Sequence, residues 1–384
     1  MSSSTPKVLI VGAGFFGLTI AERIASNFDI EVTIVEKRNH IGGNAYSYIN
    51  SDTNIEVHKY GSHLFHTSNE LVWKYVNRFS NFTNYQHQVW TSYQGKVYSL
   101  PINLHTMNTF FDKNFKPIEA KEFIQNQIFK EGNLTPTNFE EKAISLIGRT
   151  LYDAFIKEYT HKQWNVDPKK LDQSIISRLP VRYDYNNRYF SDKYEGLPLN
   201  GYAELFSKMI ESNKIKILLE TDFFDIRKDL NPDILTIYTG PIDKYFDYSY
   251  GGLTWRTLDF QLEILDIEDY QGTSVMNFAD LEIPYTRIHE FQHLHPERKK
   301  SIKRTIISKE FSRFSEVGDD PYYPINQAKD REILKRYRYA LSKERNVLFG
   351  GRLGTYQYLD MHMAIASALS MYENQIRPLF KKFI

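Results

Sequence analysis

The chain has 384 residues, with 48 Lys and Arg against 47 Asp and Glu, a formal net charge of +1. At roughly 150 residues per domain this length accommodates two or three domains with a sizeable core, and near-neutral charge excludes a nucleic-acid binder that relies on a broad basic surface. The absence of Cys removes disulfides, thiolate catalysis, Fe–S clusters and Cys-ligated zinc together.

No apolar run approaches the roughly 20 residues of a membrane helix, and Met1-Ser2-Ser3-Ser4-Thr5-Pro6 lacks a signal-peptide pattern, so a cytoplasmic protein with no membrane insertion is expected. In chain order, Lys7–Val11 reads as a strand, the stretch to about Asn27 as a helix and Glu31–Glu36 as a second strand, a β-α-β unit. From about Asn103 to Leu171 the pattern turns helical, with 3.6-residue periodicity from Phe139 to Tyr159. Ile215–Leu219 and Ile234–Tyr238 read as strands, and Leu253–Ile307 as an antiparallel sheet. Asn346–Gly351 reads as a late strand, with a helix from about Asp360. The expected fold class is mixed α/β: a Rossmann-like domain completed by distant chain, with an inserted helical domain and an antiparallel β-sheet domain. The expected boundaries are 1–83, 200–243 and 345–384 for the first, 100–175 for the second, and 84–99, 176–199 and 244–344 for the third.

Gly12-x-Gly14-x-x-Gly17 follows a strand and opens a helix, the context in which such glycines bind a dinucleotide. The first permits the tight turn, the second admits a pyrophosphate to the backbone, and the third allows close helix–strand packing. Backbone N–H groups at the helix start, around Phe15 and Phe16, favour an anion. Glu36 lies 19 residues beyond Gly17, where a carboxylate can accept from ribose hydroxyls. Lys37, Arg38 and the Gly42-Gly43-Asn44 run follow, and a glycine pair there resembles FAD proteins of the glutathione-reductase and amine-oxidase type. The alternative is a pair of tight turns without a nucleotide. His58, His63 and His66 have a spacing that invites a metal, but no carboxylate lies within the motif and strand-like surroundings do not converge three imidazoles, so no metal site is expected.

His40–Asn44, Tyr60–Thr67, Tyr159–Trp164, Arg178–Arg182, Pro284–Arg287 and Gly351–Met361 occur in this order. Together they resemble the bacterial UDP-galactopyranose mutases, over about residues 7 to 375. The resemblance implies an FAD enzyme, active in its reduced form, that interconverts UDP-galactopyranose and UDP-galactofuranose without net redox. In that chemistry the flavin N5 displaces UDP from the anomeric carbon, and a flavin–sugar adduct opens and recloses with the other ring size. A UDP-sugar partner and a homodimer are implied as well.

The resemblance assigns Arg178 and Arg287 to the substrate diphosphate, where positioned guanidiniums stabilise a leaving group that gains charge. It assigns Tyr189, Tyr323 and Tyr358 to the phosphates, and Phe155, Tyr159, Thr160, Trp164 and Asn277 to the uridine side. It places Gly61, Ser62, Arg256, Gly351, Arg352, Tyr358, Asp360 and Met361 on the cofactor and His63 beside the flavin ring. Residues 167–182 correspond to a loop that closes over substrate. Without the resemblance, Phe155 and Tyr159 read as helix packing and the arginines as solvated. His87 stands near the sugar where the family pattern has Asn, Ile156 replaces Phe, Glu158 and Asn165 replace Gly, and His289 and Phe291 stand where Thr and His are expected. These departures bear on sugar specificity, for which the same chemistry on UDP-N-acetylgalactopyranose is one alternative. An FAD-dependent amine-type oxidase is another, disfavoured by the arginine-and-tyrosine set, and a catalytically silent UDP-sugar binder is the third.

Overall fold

A computed structural model describes residues 7–132, 135–176, 181–231, 233–298, 303–316 and 318–380. Strand β1 (Lys7–Val11), helix α1 (Phe15–Asn27) and strand β2 (Glu31–Val35) form the opening β-α-β unit. Every residue of β1 after Lys7 is buried, which is why the run is continuously apolar and not alternating. Short strands β3 (Ser47–Ile49), β4 (Glu56–His58) and β5 (Phe65–Thr67) follow, then α2 (Glu70–Val76), whose Asn69 cap accepts from the Leu71 and Val72 N–H groups.

The hairpin β6 (Val89–Tyr93) and β7 (Lys96–Leu100) leads into α3 (Leu104–Phe111), α4 (Pro117–Lys130) and α5 (Phe139–Tyr152). Ala143, Ile144, Ile147 and Leu151 form the buried stripe of α5. A π-helical turn at Asp153–Lys157 links it to α6 (Glu158–Trp164). Next come β8 (Tyr194–Gly196), α7 (Tyr202–Met209), β9 (Ile215–Leu218), α8 (Phe223–Ile226), β10 (Leu235–Tyr238) and α9 (Ile242–Tyr245). The long strands β11 (Trp255–Leu265) and β14 (Thr305–Phe314) bracket β12 (Val275–Phe278) and β13 (Arg287–Glu290). The chain continues through β15 (Tyr323–Pro324), α10 (Ala328–Leu341), β16 (Val347–Phe349), α11 (Gly351–Thr355), α12 (Met361–Met371) and α13 (Arg377–Phe380).

One sheet has the order β16-β10-β1-β2-β9 and is parallel throughout, so a Rossmann-like layer is assembled from distant parts of the chain. The second sheet runs β15-β11-β14-β13-β12-β6-β7. It is antiparallel except that β6 joins β12 in parallel, Met276 opposite Trp90. No tight turn connects those two strands, so nothing forces the antiparallel arrangement on them. The β3–β4 and β5–β8 pairs complete the mixed α/β fold.

Candidate cofactor and substrate site

At the C-terminal end of β1 the first glycines are held by close approach. A Cβ on Gly12, whose φ is +101°, would lie 2.2 Å from Thr239 Oγ1, and one on Gly17 would lie 2.1 Å from the Gly12 carbonyl. Gly42 N–H donates to the Ala13 carbonyl at 2.7 Å, which lays the Gly42-Gly43 turn against Gly14. Glu36 is buried, and its carboxylate accepts from the Ala13 and Arg38 N–H groups at 2.9 and 3.0 Å. Arg38 donates to Asn44 at 2.9 Å and to Asp320 at 2.6 Å, and lies 4.3 Å over the Tyr60 ring. Lys37 reaches the other Asp320 oxygen at 2.5 Å.

Arg256 is almost fully buried with Nε and Nη2 on Ser312 Oγ, and burial, with Arg313 nearby, lowers its pKa to about 10. Its Nη1 has no protein partner, a feature that calls for an unseen polar group. This orphaned guanidinium, the glycine cradle and the buried Glu36 fit an anionic dinucleotide. Phe15 and Phe16 pack their rings in the core, Phe15 against Phe206 and Phe16 against Gly350, so their contribution to such a ligand is through backbone N–H groups.

On the neighbouring sheet, Asn277 of β12 stands directly opposite Arg287 of β13. Arg287 Nη2 donates to the Tyr159 hydroxyl at 2.6 Å, and its Nε lies 3.3 Å from Glu310 Oε1. Burial opposes the Arg287 charge, but Glu310 and Tyr159 outweigh it and raise the pKa further above the usual arginine value. Glu310 is lowered despite burial, because Arg287 and His289 face it. Asn277 Oδ1 is buried and unpartnered.

The late segment meets this group. Arg352 lies 5.0 Å over the Tyr358 ring and 5.7 Å over Tyr323, and those two rings stack at 5.8 Å. Arg352 also donates to the Tyr322 and Leu359 carbonyls, fixing the turn before Asp360, which stands at the N-cap position of α12 ahead of Met361 without a side-chain capping hydrogen bond. Gly351 opens α11 at a φ of +73°. His63 Nδ1 is 2.7 Å from the Gly61 carbonyl, and burial lowers its pKa to about 4. The ring is therefore neutral, with Nδ1–H donating and Nε2 left as an acceptor. His87 is buried with its pKa lowered to about 3, and meets Tyr189 edge-on at 5.5 Å. The three clustered histidines diverge: His58 accepts from the His63 N–H, His63 turns to Gly61, and His66 bonds Asp192.

Helix α6 carries Tyr159, Thr160 and Trp164 and is clasped to the β12–β13 loop. Lys162 Nζ sits 2.7, 2.8, 3.0 and 3.2 Å from the carbonyls of Phe278, Asp280, Ile283 and Tyr285, and Glu158 accepts from the Leu281 N–H at 2.9 Å. Thr160 is buried. Phe155 stands apart from the Arg287 group, packed in the helical core against Tyr93, Tyr98 and Phe110. Arg178 lies outside the described residues. Sequence reasoning missed Glu310, Asp320, Ser312 and Lys162 as organising groups. None carries a local signal: Glu310, for example, sits in β14 among Ser308, Lys309, Ser312 and Arg313 and reads as one more polar strand residue.

The sequence profile of UDP-galactopyranose mutase matches residues 154–358, and that of an NAD(P)-binding Rossmann-like domain matches residues 10–79. A "Probable UDP-galactopyranose mutase" of Klebsiella pneumoniae is 42% identical over 362 residues, covering 94% of this chain and 92% of the relative. The chain belongs to the UDP-galactopyranose mutase family. A dTDP-fucopyranose mutase of Escherichia coli is 38% identical over 97% of this chain and 98% of its own length. A UDP-galactopyranose mutase of Mycoplasma genitalium is 32% identical over 93% of this chain and 92% of its own length. A crystal structure of reduced UDP-galactopyranose mutase superposes with a TM-score of 0.72 at 15% identity, covering 99% of this chain and 95% of that one, a likeness of fold. As a member of this family the chain is an isomerase with a flavin-type cofactor fold. No helix among the described residues is long and apolar enough to cross a membrane.

Proposed function

We propose that the chain interconverts UDP-galactopyranose and UDP-galactofuranose with a reduced FAD and no net oxidation or reduction. The observation that carries this reading is Arg287, held between Glu310 and Tyr159 and opposite Asn277. When bound, a two-electron-reduced flavin supplies a nucleophilic N5 for the anomeric carbon. The residues Gly12, Gly14, Gly17, Glu36, Arg38, Gly43, Asn44 and Arg256 hold the dinucleotide. Arg287, with Tyr189, Tyr323 and Tyr358, receives the diphosphate as its charge grows; a fixed guanidinium gives most where charge develops. Arg178 is assigned with it on the family resemblance. Asn277 Oδ1, buried without a partner, is suited to accept from a uracil N–H, with Tyr159, Thr160 and Trp164 around the base. His63 Nε2 offers an acceptor beside the reacting centre, and His87 borders the sugar. We further propose a cytoplasmic location and a homodimeric state, the latter read directly by size-exclusion chromatography with light scattering.

The test is to incubate dithionite-reduced holoenzyme with UDP-galactofuranose and separate the products by chromatography. Conversion to UDP-galactopyranose supports the reading, and no conversion overturns it. The fucopyranose mutase among the relatives favours a second reading, the same ring change on a dTDP-linked 6-deoxy sugar. A parallel incubation with dTDP-fucopyranose decides between them by relative kcat/KM.

A further inference from the structure

Ser62, His289 and Glu310 form a line of polar contacts that ends on Arg287. Ser62 Oγ is 2.8 Å from His289 Nδ1, His289 Nε2 is 3.0 Å from Glu310 Oε2, and Glu310 Oε1 is 3.3 Å from Arg287 Nε. The strand geometry builds this line. Arg287 and His289 are two residues apart on β13 and so share a face, and Glu310 of β14 stands directly opposite Arg287. Ser62 belongs to the Gly61–His63 segment on the cofactor side. That segment runs close to the same strand: a Cβ on Gly61 would lie 3.7 Å from Glu310 Oε2.

His289 is 2% exposed and Glu310 4%. A buried carboxylate held by one oxygen alone can rotate away from its cation. Here the imidazole Nε2 meets Oε2, while Oε1 faces Arg287 and also accepts from the Thr286 hydroxyl at 3.3 Å, and Nδ1 meets the Ser62 hydroxyl. We propose that His289 is a positioning residue that couples the Gly61–His63 segment to the Arg287 guanidinium through Glu310. The imidazole then acts, together with Tyr159 on the guanidinium itself, on the orientation of Arg287, and also on the placement of the backbone that carries His63. The proposal rests on the reading in which Arg287 receives the diphosphate.

The test compares holoenzyme variants His289→Leu and His289→Gln, with Ser62→Ala and Arg287→Ala alongside. The readouts are kcat, KM and the change in the visible flavin spectrum on adding UDP. A glutamine amide can still donate to Glu310 but is not an imidazole toward Ser62. His289→Leu should therefore lower kcat at least about 10-fold, since small misplacements of a catalytic group are costly, and remove the UDP-induced spectral change. His289→Gln should recover most of kcat without recovering the spectral change. Ser62→Ala, which leaves His289 in place, should also lose the spectral change and keeps the test available should the leucine variant fail to fold. Equal impairment of the leucine and glutamine variants, or an unchanged UDP-induced spectrum in His289→Leu and Ser62→Ala, would overturn the proposal. Arg287→Ala separates the two ideas. If it is impaired while the His289 variants are not, only the coupling falls; if it retains wild-type kcat/KM, the diphosphate reading itself falls.

Discussion

Asn277 and Arg287 face one another across adjacent antiparallel strands, so their side chains leave the sheet on the same face. This puts the amide proposed to read the base beside the guanidinium proposed to receive the diphosphate, about one cross-strand spacing apart. Arg287→Ala should keep its flavin but lose at least about 100-fold in kcat, the effect of roughly 3 kcal/mol of transition-state stabilisation. Asn277→Ala should instead act mainly on KM and on the affinity for UDP alone. Steady-state kinetics on both variants check this, and the same kcat-to-KM pattern in the two would contradict the assignment.

Tyr159 has two separable parts. Its hydroxyl accepts from Arg287, and its ring sits on the helix assigned to the nucleotide. Tyr159→Phe is expected to lower kcat while largely preserving UDP affinity. Tyr159→Ala and Trp164→Ala should both weaken UDP binding in a titration of the free nucleotide. Unchanged UDP affinity in both alanine variants would make these rings core packing, as the contacts of Phe155 already indicate for that residue.

The Lys162 ammonium gathers the Phe278 carbonyl at the end of β12 and those of Asp280, Ile283 and Tyr285 in the loop that follows. Lys162→Met leaves those carbonyls without their charged donor and should lower the unfolding free energy by about 3 kcal/mol. It should also weaken UDP binding, because Asn277 and Arg287 lie at the two ends of the loop. Urea unfolding monitored by fluorescence, paired with UDP titration, tests both parts. A stability loss with unchanged UDP affinity would confine Lys162 to a packing role.

What the sequence makes legible follows the range of the interactions. The β-α-β unit and its glycines depend on local turns and a short apolar run, and they read directly from residues 7–36. Arg287 and the tyrosines were found through family motifs, since nothing in a lone arginine distinguishes a ligand from a solvated charge. Glu310, Asp320 and Lys162 were not found. Arg38 meets Asp320 across 282 residues, and Lys162 meets the Asp280 carbonyl across 118, so only the fold shows that they touch. The parallel β6–β12 pairing was hidden for the same reason.

Burial holds His40, His58, His63 and His87 neutral, with pKa values lowered to about 4, 3, 4 and 3. Between about pH 6.5 and 4.5 the unfolded chain therefore takes up protons that the folded one does not, and stability falls as pH falls. Each group contributes up to about 1.4 kcal/mol per pH unit in that window. His293 works the other way. Burial opposes its charge, but Glu290 and Asp269 raise its pKa, so its contribution is present below about pH 6.5 and fades as pH rises through the folded value. Four groups outweigh one, so the urea midpoint should be lower at pH 5.5 than at pH 7.5, and His87→Asn should narrow the gap. An equal or higher midpoint at pH 5.5 would contradict this balance.

The proposed isomerisation needs a reduced cofactor but consumes no reductant. The most direct measurement follows UDP-galactofuranose conversion under anaerobic conditions, with oxidised and dithionite-reduced holoenzyme, while counting electrons delivered per product formed. Near-zero turnover is expected in the oxidised form, and many turnovers in the reduced form from a single reduction of the flavin. Equal rates in the two forms, or one reductant spent per turnover, would contradict it.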